Sequence, residues 1–280
     1  MSREIPATTI ADTVARLFQQ ANTRLPDDVL AALRKARDEE TSPAGRDALD
    51  QIIRNAEVAA QDCIAMCQDT GVPVIFLDIG QQAHIVGDIQ QAVNDGVREG
   101  TRQAYLRPSV VADPLNRVNT GDNTPAILHL QIVPGDRVRI AVLPKGAGAE
   151  NKSAVKMLTP ADGIEGVKKF VVETVSAAGP DACPPFAVGI GLGGNLERCA
   201  LLTKRALLRP VGQPNAESHL AQLERELLEE INALGIGPSG FGGSTTALAV
   251  HVEAAPCHIA SLPVAVNIQC HAARHAEAVI

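Results

Sequence analysis

The sequence predicts an α/β protein, with α+β open as a variant, in which a helical N-terminal region leads into a mixed-sheet domain. Three observations carry this. Apolar residues recur at helical spacing through the first quarter, and strand-like runs alternate with helical stretches after about residue 70. The 280 residues are 45 % hydrophobic and 20 % charged, enough apolar material for a sizeable core. Only 2 % are aromatic, so Ala, Val, Ile and Leu must fill that core.

Taken in chain order, Ile10, Val14 and Phe18 mark a first helix. Val29, Leu30 and Leu33, behind Pro26-Asp27-Asp28, mark a second. A third opens at Ser42 with Pro43 in its first turn and runs through Leu49, Ile52, Ile53 and Val58. VPVIFLDIG, from Val72 to Gly80, predicts a buried strand, and Ile89, Val93 and Val97 place a helix over about Asp88 to Tyr105. ILHLQIV and RVRIAVLP flank Pro134-Gly135-Asp136, which predicts a hairpin. FAVGIGL, TTALAVHVE and PVAVNIQ predict strands, while FVVETV reads as a strand or as the end of a helix begun near Asp162. Asn195 caps a helix to about Leu208, and Leu220, Leu223, Leu227 and Ile231 mark another between Asn215 and Leu234. No linker stands out. A single domain over 1–280 is expected, helical over about 1–66 and α/β over about 67–280.

Charge and composition exclude several classes. With 25 Lys plus Arg against 32 Asp plus Glu, a net charge of −7 and no basic block, nucleic acid is a poor partner. The N-terminus lacks a signal peptide's apolar run, and no stretch approaches the ~18 apolar residues of a membrane span, so a cytoplasmic protein is expected. The six cysteines form no Cys-x-x-Cys pair, which favours metal or catalytic roles over disulfides in a reducing compartment.

Four segments carry candidate chemistry. Met66-Cys67-Gln68-Asp69-Thr70-Gly71 reads as a cysteine ending a helix beside an acid, with Cys63 one turn earlier; a structural cysteine beside a turn Asp is the alternative. Lys145-Gly146-Ala147-Gly148-Ala149-Glu150-Asn151-Lys152 exposes backbone N–H groups that can cradle an anion, but lacks the P-loop order and can equally be a solvated loop. Gly189, Gly191 and Gly194 satisfy dinucleotide-fingerprint spacing, yet no acidic residue follows to hold a ribose, so tight strand–helix packing or a smaller anion at the helix N-terminus are the competing readings. Cys257-His258 and Cys270-His271 match no zinc-finger spacing, and a thiol nucleophile with His258 as base is the alternative to a metal role.

The four motifs occur together in an order that resembles the alpha subunit of the iron–sulfur hydro-lyases, meaning class I fumarate hydratase and L(+)-tartrate dehydratase, over nearly the whole chain. The resemblance implies a [4Fe–4S] cluster held by Cys67, Cys183 and Cys270, with one iron left as a Lewis acid. It further implies Asp69 and His258 as catalytic or substrate-orienting groups, and Gln68, Arg107 and Gly148 as substrate contacts. Arg107 is the expected carboxylate clamp, with a surface ion pair as its alternative; for His258 the alternative is a core histidine. The loop has Ala147 and Ala149 where relatives are expected to carry Gly and Ser. The chain stops at Ile280, so the resemblance implies a separate beta subunit completing the site in a two-plus-two assembly. The expected reaction is hydration of fumarate to (S)-malate, with tartrate dehydration as the near alternative. A non-catalytic nucleotide- or metal-binding module is the alternative of another class.

Overall fold

Ile10, Val14, Leu17 and Phe18, spaced for one helical face, are fully buried on α1 (Ala7–Thr23). The structure, a computed structural model, describes residues 3–280. It divides into two units: the first holds residues 3–26, Asn55–Ala147 and Arg274–Ile280, the second Asp27–Arg54 and Gly148–Ala273.

In the first unit α1 packs on α4 (Ile89–Gln103), whose N-terminus is capped by the Asp88 carboxylate accepting the Gln91 N–H at 2.9 Å. Both helices share one core with a four-stranded sheet. Its order is β10 (Ala276–Val279), β5 (Val138–Lys145), β2 (Val72–Gly80), β4 (Ile127–Val133). β1 (Arg3–Pro6) pairs in parallel with β3 (Ala83–Val86). The expected hairpin between β4 and β5 does not form. β2 lies between them, parallel to β4 and antiparallel to β5. Val74, Ile75, Phe76 and Leu77 are at most 2 % exposed, and so apolar a run takes a partner strand on each edge. The Pro-Gly-Asp segment instead carries the chain across the end of β2, where the Gly80 N–H donates to the Arg137 carbonyl at 2.8 Å.

The second unit contains α2 (Asp27–Glu39), the first part of α3 (Pro43–Asp62) and a second sheet. That sheet runs β6 (Ala154–Leu158), β9 (Leu262–Gln269), β7 (Phe186–Gly193), β8 (Ala247–Ala255), antiparallel except for β7 with β8. FVVETV belongs to helix α6 (Gly163–Ala178), with Val171 and Val175 fully buried. α6 and α8 (Ser218–Asn232) cover one face over Val188 and Ile190. α7 (Leu196–Ala206) covers the other, where β7 presents glycine at every second position. A Cβ on Gly191 would lie 1.9 Å from the Cys199 carbonyl oxygen, and one on Gly189 2.4 Å from that of Thr203. Gly-x-Gly here seats a helix on a strand.

Glu40, fully buried just after α2, accepts N–H groups from Thr41 at 2.8 Å, Ser42 at 2.9 Å, Ser244 at 2.9 Å and Thr245 at 3.2 Å. Burial works to raise its pKa, but those amides outweigh it and hold the carboxyl below the usual glutamate value. The anchored loop carries Ser239, whose N–H donates to the Pro184 carbonyl at 2.9 Å, beside Cys183.

His251 on β8 is 3 % exposed, and burial, aided by the Arg209 guanidinium, pushes its pKa down to about 4. The unfolded chain takes up this proton near the ordinary value, and the folded one only near pH 4. The protection is complete above about pH 6.5 and is lost as pH falls toward 4. A difference of this size is worth about 3 kcal/mol at most. Thermal midpoints of wild type and His251→Gln over pH 4–7 are expected to show a steeper acid loss in the wild type.

Among the described residues no helix is long and apolar enough to cross a membrane.

Candidate functional site

In the first unit the segment after α3 is irregular. α3 ends at Asp62, and Cys63 follows with φ +53° and an exposed side chain. Cys67 therefore lies on a loop, not at a helix end, and shares no helix face with Cys63. The loop is pinned at Met66, whose N–H donates to the Asn22 carbonyl at 3.0 Å and whose carbonyl accepts Asn55 Nδ2 at 2.8 Å. One turn on, the Asp69 N–H donates to Cys67 Sγ at 3.4 Å. The Asp69 carboxylate spans two segments, accepting the Gly71 N–H at 2.9 Å and the Ala147 N–H at 2.8 Å. Gly71 has φ +80°, and a Cβ there would lie 2.5 Å from the Lys145 carbonyl carbon, so only glycine fits this turn. The Asp69 carbonyl accepts a hydrogen bond from Arg274 Nη2. Gln68, between the thiol and the acid, is exposed.

In the second unit Cys183 closes a short 3-10 turn (Gly179–Ala182) in the left-handed region, at φ 56°, ψ 69°. A non-glycine residue there is strained, and such strain persists only where surroundings hold it. The holding group is His271. Its backbone N–H and its ring Nδ1 both reach the Cys183 carbonyl, at 3.1 and 3.2 Å, across 88 positions of sequence. A carbonyl only accepts, so the ring proton is on Nδ1. Because Cys270 immediately precedes His271, this contact brings the Cys183 and Cys270 loops to one place.

The remaining expected residues sit as follows. Arg107 is exposed in the loop after α4, its carbonyl held by Asn123 Nδ2 at 3.2 Å; its guanidinium makes no ion pair among the described residues. His258 is exposed in the turn after β8, not in the core. Its Nδ1 accepts the Ala260 N–H at 3.1 Å, so the neutral ring carries its proton on Nε2. The Cys257 thiol bonds the Ser261 carbonyl at 3.3 Å, and no thiol–imidazole dyad forms with His258. Above Gly148 the space is open, the nearest atom to an added Cβ being the Asp181 carbonyl oxygen at 3.8 Å. Lys152 is paired with Asp181 at 2.8 Å, whereas Lys145 is 2 % exposed. Ala147–Glu150 forms a single short helical turn, α5.

Three thiols are the donors to be judged against a cluster. Soft thiolates suit iron and sulfide, and an N–H aimed at Cys67 Sγ is the kind of contact that tunes such a group. Among the described residues no three Cys, His, Asp or Glu side chains gather as ligands of one metal ion do. A cluster binds its thiolates through separate irons and has no such requirement. Cys199 is different in kind: it is fully buried on α7, its Sγ bonds the Leu196 carbonyl at 3.3 Å, and burial pushes the thiol pKa up. The nucleotide alternative loses its motif, since Gly189 and Gly191 seat α7 and the Asn195 side chain already accepts the Arg198 N–H at 2.9 Å.

Sequence reasoning missed Arg274 and Glu40, and found His271 only as half of a Cys-His pair, without its hold on Cys183. Arg274 did leave a trace, as the one cation in the run Cys270-His-Ala-Ala-Arg274.

A family model described as fumarate hydratase (Fumerase) matches residues 11–279. A protein of Methanocaldococcus jannaschii named as a putative L(+)-tartrate dehydratase subunit alpha is 46 % identical over 274 residues, covering 95 % of this chain and 96 % of the relative. The L(+)-tartrate dehydratase subunit alpha of Escherichia coli K12 is 36 % identical over 269 residues, covering 95 % and 88 %. The same values hold for the subunit of that name from Shigella sonnei.

Proposed function

This chain belongs to the fumarate hydratase (Fumerase) family of hydro-lyases, and from that membership we propose that it is the alpha subunit of an enzyme hydrating fumarate reversibly to (S)-malate. A second reading, dehydration of L(+)-tartrate, is favoured by the names of the relatives. Both reactions move water on and off a four-carbon diacid.

Cys67, Cys183 and Cys270 are the proposed ligands of a [4Fe–4S] cluster, which when bound would supply a Lewis-acidic iron to the reaction. The observation that carries this is His271 gripping the Cys183 carbonyl, which sets two of the three cysteines on adjoining loops. Arg107, exposed and without an ion pair among the described residues, suits a carboxylate clamp. His258, exposed and with Nδ1 already accepting the Ala260 N–H, and Asp69 are the proposed proton-handling or orienting groups. Gln68 and Gly148 complete the proposed contacts. The relatives are named alpha subunits, which supports a separate beta subunit, proposed as part of a two-plus-two assembly; a reducing cytoplasm fits six cysteines lacking any Cys-x-x-Cys pair.

The test is turnover by the anaerobically co-purified subunits, following fumarate consumption and, separately, oxaloacetate release from L-tartrate. The expected result is a kcat/KM for fumarate roughly tenfold or more above that for L-tartrate. The reverse ratio selects the second reading, and turnover of neither refutes both.

A further inference from the structure

We propose that Arg274 is an anion-binding residue of the site, its guanidinium taking a carboxylate oxygen of the diacid substrate. The assignment rests on the hydro-lyase reading above.

Strand register places the residue. Ala276 on β10 pairs with Val142 on β5 in antiparallel register, so two residues earlier on one strand and two later on the other put Arg274 beside Pro144 and the turn that follows. An added Cβ on Gly146 would indeed lie 4.0 Å from Arg274 Nη2 and 3.2 Å from Asp69 Oδ2. The side chain is thus held where the Cys67–Asp69 loop and the glycine-rich segment meet, within one unit of the fold.

Its electrostatics are unusual. Arg274 is 3 % exposed, and its Nη2 donates to the Asp69 carbonyl. Nη1 is buried with no hydrogen-bond partner in the structure. Among the described residues the neighbouring Asp69 carboxylate makes no ion pair or hydrogen bond with it, its two oxygens accepting backbone N–H groups from Gly71 and Ala147. A guanidinium cannot shed its charge, and a buried charge without an anion is costly. A protein keeps such a group where an anion arrives from outside. A planar fork with one arm anchored on main chain and the other buried but unpaired matches a carboxylate. The reaction's substrates each carry two carboxylates, and Arg107 accounts for at most one of them within this chain.

A second anionic source is chemically possible, namely thiolate and sulfide at Cys67, whose Sγ already accepts the Asp69 N–H. The experiment separates the two. The anaerobically co-purified enzyme is titrated calorimetrically with the unreactive diacid succinate, and iron and acid-labile sulfide are measured on the same samples. Arg274→Gln is expected to bind succinate roughly tenfold or more weakly, with iron and sulfide content unchanged. Should Arg274→Gln fail to fold, Arg274→Lys keeps the charge but not the fork, and is expected to bind about threefold or more weakly. Unchanged succinate affinity in a folded variant overturns the proposal. So does loss of iron with affinity retained, which would give the guanidinium to the Cys67 loop alone. Wild-type enzyme that turns over neither diacid instead overturns the underlying reading, and this assignment with it.

Discussion

Cys183→Ser, purified without air, is expected to lose its iron and its hydro-lyase activity together, whereas Cys199→Ser keeps both. Serine removes a soft thiolate while leaving size and backbone nearly unchanged, so a loss reports on ligation. The two positions differ in every physical respect that matters. Cys183 is exposed, strained at φ 56°, and held by two contacts from His271. Cys199 is buried against a helix carbonyl with its thiol pKa pushed up, the environment of an inert thiol. Lewis-acid stabilisation contributes several kcal/mol to such a reaction, so loss of the metal group should cost on the order of a thousandfold or more in turnover. Iron analysis and progress curves on the two variants check it.

Glu40→Gln is expected to be the most damaging single change to the second unit outside the cysteines. The carboxylate gathers amide N–H groups from Thr41, Ser42, Ser244 and Thr245, and glutamine would turn an NH2 toward at least one of those donors. Charge-assisted hydrogen bonds are worth roughly 1.5–3 kcal/mol each, and a buried donor left unpaired adds its own penalty, so a loss of about 3 kcal/mol or more is expected. Because the folded carboxyl titrates below the ordinary glutamate value, its contribution is complete above that value and fades as pH falls through the folded one. Denaturant midpoints at neutral pH and near pH 3 should therefore differ from wild type by more at neutral pH. The loop it anchors also supports Pro184, so the variant should lose iron more readily than wild type.

What could be read from sequence alone divides by distance along the chain. The helical faces of α1 and α4, the Asn195 cap and the buried run of β2 are local patterns, and they stand where the sequence pattern places them. The β4–β5 hairpin is the instructive failure. Its turn residues are correct for a reversal, but strand pairing is decided by β2, about fifty residues earlier, which claims both neighbours. Gly189 and Gly191 have the spacing of a phosphate loop because both uses need a backbone without Cβ; only the Cys199 and Thr203 carbonyls reveal which applies. No local pattern marks Glu40 as buried; its hold on Ser244 and Thr245 spans about two hundred residues of sequence. Likewise, nothing local announces that His271 grips Cys183 or that Arg274 is buried. The resemblance named the cysteines, Asp69, Arg107 and His258. The groups that hold the cysteines and Asp69 are tertiary facts.

Iron and acid-labile sulfide per chain, measured on the anaerobically purified wild type and on serine variants of Cys67, Cys183 and Cys270, decide whether these three thiols hold a cluster. The expected result is a brown wild-type protein with about four of each, and loss of both in all three variants. A colourless wild type that nonetheless turns over a diacid, or a Cys183→Ser protein with its full iron complement, would contradict it.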